Sequence, residues 1–134
     1  LGAVAEAERC RKLIEAGVPI ALATDFNPGT SPTTNFPLVL TLGVSRLGLS
    51  AGESIVASTV NGAAALALAE RTGQLAPGYS ADLALWNIGD LRELPYWLGD
   101  GRCAASSCGR VKAKTSRPWR TATCATRCAA APKP

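Results

Sequence analysis

Two kinds of hydrophobic spacing follow each other at the start of the chain. Over residues 3–16 the apolar positions Ala3, Ala7, Cys10 and Ile14 recur at helical spacing, and Leu13 widens the stripe. The pattern predicts a helix with one buried face. Glu6, Glu8, Arg9, Arg11, Lys12 and Glu15 cover the other side. Gly17 suits the left-handed stop at a helix end, and Pro19 blocks continuation. The next run, Val18-Pro19-Ile20-Ala21-Leu22-Ala23-Thr24, is apolar nearly throughout, with no alternation. It predicts a strand covered on both faces, as in parallel α/β sheets and barrels. In those folds chemistry gathers at the carboxyl ends of the strands, and Asp25 stands at that end.

Downstream, residues 34–47 read as a helix with Pro37 tolerated in its first turn and Leu38, Leu42 and Leu49 marking the buried side. Ser50 and Glu53 form a capping-box pair that opens a helix running to about Thr59. Asn61 to Ala69 predicts a short, Ala-rich helix able to pack closely. From Gly73 the texture changes: Pro77-Gly78 marks a turn, and Ala81 to Trp86 reads as a strand. Residues 103–134 offer Ala, Ser, Thr, Arg, Cys and Pro without periodicity, as a frame-shifted reading of GC-rich DNA would.

Composition narrows the choices. With 134 residues, 47% of them hydrophobic, the chain can bury a core but falls short of the roughly 250 residues of a complete (β/α)8 barrel. No apolar stretch is long enough to span a bilayer. The absence of Met suggests a fragment, and the absence of His leaves no imidazole to hold a metal. Charge is uneven. Residues 1–101 carry six Lys/Arg against ten Asp/Glu, whereas residues 102–134 carry eight Lys/Arg and no acid. A basic tail can bind nucleic acid or a membrane surface, and Trp119 between Arg117 and Arg120 could stack on bases. An accidental tail explains the same residues. Cys103, Cys108, Cys124 and Cys128 are spaced C-x4-C and C-x3-C, a poor match to the paired C-x2-C knuckles of structural zinc sites.

The candidate chemistry lies in Asp25-Phe26-Asn27-Pro28-Gly29-Thr30. A carboxylate ending a buried strand, followed by an amide, a glycine and a hydroxyl, has the make-up of an active-site rim. An Asx-turn or helix cap would use the same residues for backbone ends alone.

The stretch Ala23-Thr24-Asp25-Phe26-Asn27-Pro28-Gly29-Thr30-Ser31-Pro32 resembles the signature loop of the imidazolonepropionases, metal-dependent cyclic amidohydrolases of histidine breakdown. Val60-Asn61-Gly62-Ala63-Ala64-Ala65-Leu66 resembles that family's T-x-N-A-A-x-A-L helix. Gly73 to Leu83 resembles the G-x-L-x-P-G-x-x-A-D-L turn shared across amidohydrolases, and Arg92-Glu93-Leu94-Pro95-Tyr96 a segment more particular to imidazolonepropionases. The resemblance covers roughly residues 1–102.

It implies an α/β fold: the C-terminal part of an amidohydrolase (β/α)8 TIM barrel plus part of a small β-sandwich domain. Residues 1–72 would be late βα units carrying the loop at 25–32, residues 73–102 the return to the sandwich, and residues 103–134 an irregular basic tail. The implied reaction is hydrolysis of the cyclic amide of 4-imidazolone-5-propanoate to N-formimino-L-glutamate. Asp25 would be metal ligand and proton shuttle, and Asn27, Gly29 and Thr30 would contact substrate: the Asn27 amide through the substrate carboxylate, Gly29 through an open backbone N–H, Thr30 through its hydroxyl. The ion would be Zn or Fe, with its His ligands expected upstream, so that this piece alone would be inactive. The resemblance further implies a small-molecule substrate, a cytoplasmic homodimer as the parent protein, and no membrane or nucleic-acid partner. Arg92 and Tyr96 are weaker candidates that packing or a surface ion pair explains equally well. The alternatives are another cyclic amidohydrolase or deaminase, and a non-catalytic binding protein that uses its basic tail.

Overall fold

The computed structural model describes residues 2–100 and 102–107. Helix α1 spans Gly2–Glu15. It closes where expected, with Val18 N–H bonded to the Leu13 carbonyl at 2.9 Å and Gly17 at φ 77°. Cys10 on its inner face is buried, and α1 packs on helix α2.

Helix α2, Phe36–Leu47, is capped by Asn35, whose side-chain oxygen accepts from Leu38 N–H, and Pro37 sits in its first turn. The same Asn35 donates to the Gly99 carbonyl at 3.0 Å, tying the helix start to a distant loop. Helix α3, Ala51–Ser58, begins with the expected capping box: Ser50 N–H donates to Glu53 Oε2 at 2.7 Å and Glu53 N–H to Ser50 Oγ at 3.2 Å. Two of the unsatisfied donors at a helix start are thereby met. Helix α4, Val60–Ala65, ends sooner than its Ala-rich sequence suggests. The chain turns at Ala67, where φ is 58°, and Leu68 N–H bonds back to the Ala63 carbonyl.

The core lies between α2, α3 and α4. Leu40, Leu49, Ala57, Ala63 and Leu94 are buried there. Ser54 is wholly enclosed, and its hydroxyl donates to the Leu40 carbonyl at 3.1 Å, so its polar atom costs little.

One expectation is corrected. Residues 18–24 are extended but form no strand, and they are not covered on both faces: Val18 is 45% exposed. Their ties run to helices instead. Leu22 N–H donates to the Ala57 carbonyl at 3.0 Å, and Asn61 Nδ2 to the Ile20 carbonyl at 2.8 Å. The physical reason is that a strand is defined by its neighbours, and among the described residues no other strand lies alongside this run.

The small sheet differs in the other direction. Strand β1, Leu83–Trp86, pairs antiparallel with strand β2, Cys103–Ser107, in the register Leu83↔Ser107, Ala84↔Ser106, Leu85↔Ala105 and Trp86↔Cys103. The irregular segment expected from residue 103 thus begins with an ordered strand. Its small side chains carry little strand preference, and pairing to β1 supplies what propensity lacks. A short 3₁₀ turn at Leu91–Glu93 connects the two. Beside it, the Arg102 guanidinium lies 3.9 Å from the Trp97 ring centre, a cation–π contact. Residues 108–134, with Cys108, Trp119, Cys124 and Cys128, lie outside the described residues. No helix among those described is long and apolar enough to cross a membrane.

Candidate active site

The extended run 18–24 delivers Asp25 to the mouth of a closed loop. Asp25 is exposed and has φ 48°, in the left-handed region that costs a residue with a Cβ about 1 kcal/mol.

The loop is held by Asn27. Its Oδ1 accepts from Gly29 N–H at 3.0 Å, Thr30 N–H at 2.8 Å and the Thr30 hydroxyl at 3.2 Å. Its Nδ2 donates to the Asp25 carbonyl at 2.8 Å and to Thr30 Oγ1 at 3.0 Å. Asn27 N–H donates to the Ser31 carbonyl at 3.1 Å, closing an isolated bridge between the two residues. Outside the turn, the Ser31 hydroxyl donates to the Thr24 carbonyl at 2.6 Å. This is Asx-turn chemistry carried to completion: one side-chain amide satisfies a ring of main-chain groups that would otherwise need water.

The structure brings Asn27, Gly29 and Thr30 together in one turn beside Asp25, and it occupies one group that the sequence reading left open. Gly29 N–H is not open to a ligand, because Asn27 Oδ1 takes it. Gly29 also lets the turn close tightly, since a Cβ there would press on Asn27 Oδ1 at 3.3 Å. Both ends of the Asn27 amide are likewise committed to the loop. Ser31 was not singled out from sequence, since a serine after a turn is common; its reach of seven residues back to Thr24 is visible only in three dimensions.

Arg92 and Tyr96 stand apart from this loop. Arg92 pairs with Asp90 at 2.7 Å on the surface, and its guanidinium holds the Asp90 carboxyl down to about 2. Tyr96 is 73% exposed and meets Trp97 edge to face at 5.2 Å.

An open hollow of about 770 Å³ lies behind the loop, lined by Leu22, Thr24, Phe36, Leu40, Ile55 and Trp86 among others. Its walls are mainly apolar, with Thr72, Gln74 and Asp82 among the polar residues, and Asp25, Asn27, Gly29 and Thr30 do not line it. Its polar pair, the Thr72 hydroxyl donating to Asp82 Oδ2 at 2.9 Å, is satisfied within itself, and the rest of the surface has the character of an uncovered packing face. Among the described residues no three His, Cys, Asp or Glu side chains come together as a metal site, and the chain has no His. Asp25, whose carboxylate makes no described hydrogen bond or ion pair, fits the part of a single ligand and does not by itself hold an ion.

An exposed carboxylate at the end of an apolar extended run, presented by a self-satisfied loop, is the kind of element hydrolases build sites from. Residues 2–95 match the amidohydrolase family, and the chain belongs to that family. Among individual relatives, the imidazolonepropionase of Rubrobacter xylanophilus is 47% identical over 95 residues, which are 71% of this chain and 23% of the relative. The imidazolonepropionase of Geobacillus kaustophilus is 44% identical over 94 residues, 70% of this chain and 22% of the relative. That of Solibacter usitatus is 46% identical over 89 residues, 66% and 21% respectively. The chain therefore spans less than a quarter of the length of these curated relatives.

Proposed function

We propose that this chain is the part of an imidazolonepropionase that carries the carboxylate-bearing loop, and that the assembled enzyme adds water across the cyclic amide of 4-imidazolone-5-propanoate to give N-formimino-L-glutamate. The observation that carries the reading is Asp25, an exposed carboxylate with no described hydrogen bond, at φ 48° beside a turn that the Asn27 amide holds together. In the reaction Asp25 takes a proton from the attacking water. It returns one to the ring nitrogen as the C–N bond breaks, a transfer that one carboxylate can perform in both directions. Asn27 keeps the loop in shape, and Thr30 and the exposed Gly29 form the rim where substrate rests.

Asp25 gives one carboxylate to a metal centre, Zn or Fe, whose imidazole ligands come from polypeptide outside this chain. In the assembled enzyme the run 18–24 would take a strand position of a (β/α)8 barrel once neighbouring strands lie beside it, with α1 as the helix before it. The exposed Val18 and the apolar hollow beside the run support neighbouring strands in the assembled enzyme. Strands β1 and β2 belong to the small β domain.

The substrate class is tested by grafting residues 2–95 in place of the matching stretch of the Rubrobacter xylanophilus relative. The grafted enzyme is expected to hydrolyse 4-imidazolone-5-propanoate and to leave dihydropyrimidine and hydantoin rings untouched. Hydrolysis of those rings in preference would assign the loop to a different cyclic amidohydrolase.

A further inference from the structure

We infer that Ser31 is a positioning residue for Asp25, an inference that rests on reading Asp25 as the reacting carboxylate. The Ser31 hydroxyl donates a 2.6 Å hydrogen bond to the Thr24 carbonyl. That carbonyl belongs to the peptide unit whose nitrogen is Asp25's own, and a peptide unit is planar and moves as one piece. Fixing its oxygen therefore fixes the plane from which the φ of Asp25 is set, and that φ is 48°.

The main chain of Ser31 adds a second hold. Its carbonyl accepts from Asn27 N–H at 3.1 Å and from Thr33 N–H at 2.8 Å. The Asn27 amide bonds only within the span 25–30, so it shapes the turn without anchoring its entry. Ser31 alone among the loop residues reaches back to the residue before Asp25, across seven positions. It is half-buried, where water replaces a lost partner less well than at the exposed tip.

Without the hydroxyl, the Thr24–Asp25 peptide is free to rotate. Asp25 then relaxes toward the negative φ that residues with a Cβ prefer, and its carboxylate points elsewhere. A displacement of about an ångström in a reacting group costs up to about 100-fold in rate, while substrate held by other residues binds as before.

The test has two arms. In the full 134-residue chain, the φ of Asp25 is measured by NMR for the unsubstituted protein and for Ser31→Ala, Ser31→Thr and Ser31→Cys. The same four chains are each paired with the separately produced upstream portion of the Rubrobacter xylanophilus relative, and kcat and KM are measured on 4-imidazolone-5-propanoate. Ser31→Ala is expected to release Asp25 from positive φ and to lower kcat about 10- to 100-fold with KM within about threefold. Ser31→Thr, which keeps the hydroxyl, restores both. Ser31→Cys, which keeps the bulk but donates weakly, behaves as Ser31→Ala; this separates the hydrogen bond from packing. Positive φ retained in Ser31→Ala, an unchanged kcat, a loss confined to KM, or a Thr variant no better than Ala would overturn the inference. If an unsubstituted pair that assembles shows no hydrolysis, the proposed function fails; in that case, or where the pair does not assemble, the torsion angle alone decides whether Ser31 sets Asp25.

Discussion

The side-chain amide of Asn27 donates a 2.8 Å hydrogen bond to the main-chain carbonyl of Asp25, so the residue that ends the extended run is gripped by the turn that follows it. Asn27→Ala removes that bond together with the three that Oδ1 accepts and the one to Thr30 Oγ1. The released N–H groups of Gly29 and Thr30 are exposed and find water. The stability cost should therefore be only about 1 kcal/mol, measurable by thermal unfolding. In the grafted enzyme kcat/KM should fall about 100-fold, because the loop that aims Asp25 loses its shape. A fall in stability large enough to explain the lost activity would instead mark Asn27 as a folding residue.

Arg11 on α1 clamps the start of α3 through two bonds to Glu53, at 2.7 and 3.1 Å, and one to the Gly48 carbonyl at 2.9 Å. The guanidinium, and then the Ser50 main chain, hold the Glu53 carboxyl at about 2, below its ordinary 4.5. A carboxyl depressed by folding contributes stability above its unfolded pKa, and the contribution is lost as pH falls from about 4.5 toward about 2. Glu53→Gln should thus be less stable than the parent at pH 7 by roughly 1 kcal/mol, since the pair is partly exposed. The two stability curves should draw together as pH falls from about 4.5 toward 2, with most of the difference gone at pH 2.

Gly73 sits where nothing larger fits. Its φ is 94°, and a Cβ would lie 2.7 Å from Ala63 Cβ and 2.8 Å from the Thr59 carbonyl oxygen. Both neighbours belong to the α3–α4 corner and cannot swing away like a long side chain. Gly73→Ala should destabilise the fold by about 2 kcal/mol or more, from overpacking and backbone strain together. Denaturant unfolding gives the value, and a loss below about 0.5 kcal/mol would show that the corner yields.

Asn61 secures the run that leads to Asp25 by donating to the Ile20 carbonyl at 2.8 Å. Asn61→Ala should cost about 1 kcal/mol. It should also speed hydrogen exchange at Leu22 N–H, which bonds to the Ala57 carbonyl one turn away. Unchanged exchange at Leu22 would mean that α3 holds the run without help from α4.

How far these features can be read from sequence depends on how local they are. The Ser50–Glu53 capping box, the stop at Gly17 and the start of α2 near Pro37 are written in three or four adjacent residues, and the structure contains them. The run 18–24 has the unbroken apolar pattern that predicts two-sided burial, but the structure leaves Val18 exposed, because burial needs partners that the run's own residues cannot provide. Strand β2 was missed for the opposite reason: Cys103–Ser107 have no strand pattern, and only their alignment with Leu83–Trp86 makes them one. In the loop, Asp25, Asn27, Gly29 and Thr30 were legible as a group. Their division of labour was not, because the Gly29 N–H that looked open is taken by an amide two residues earlier, and because Ser31 works at a distance of seven residues.

The most direct measurement pairs the full chain with the upstream portion of the Rubrobacter xylanophilus imidazolonepropionase and follows the turnover of 4-imidazolone-5-propanoate, with and without Asp25→Asn. Neither polypeptide alone should act on the substrate. The pair should, and Asp25→Asn should lower kcat by at least about 1,000-fold in a pair that still assembles, because an amide cannot take the proton from water. A pair that assembles but does nothing, or an Asp25→Asn pair as active as its parent, would contradict the assignment of this loop to the hydrolysis.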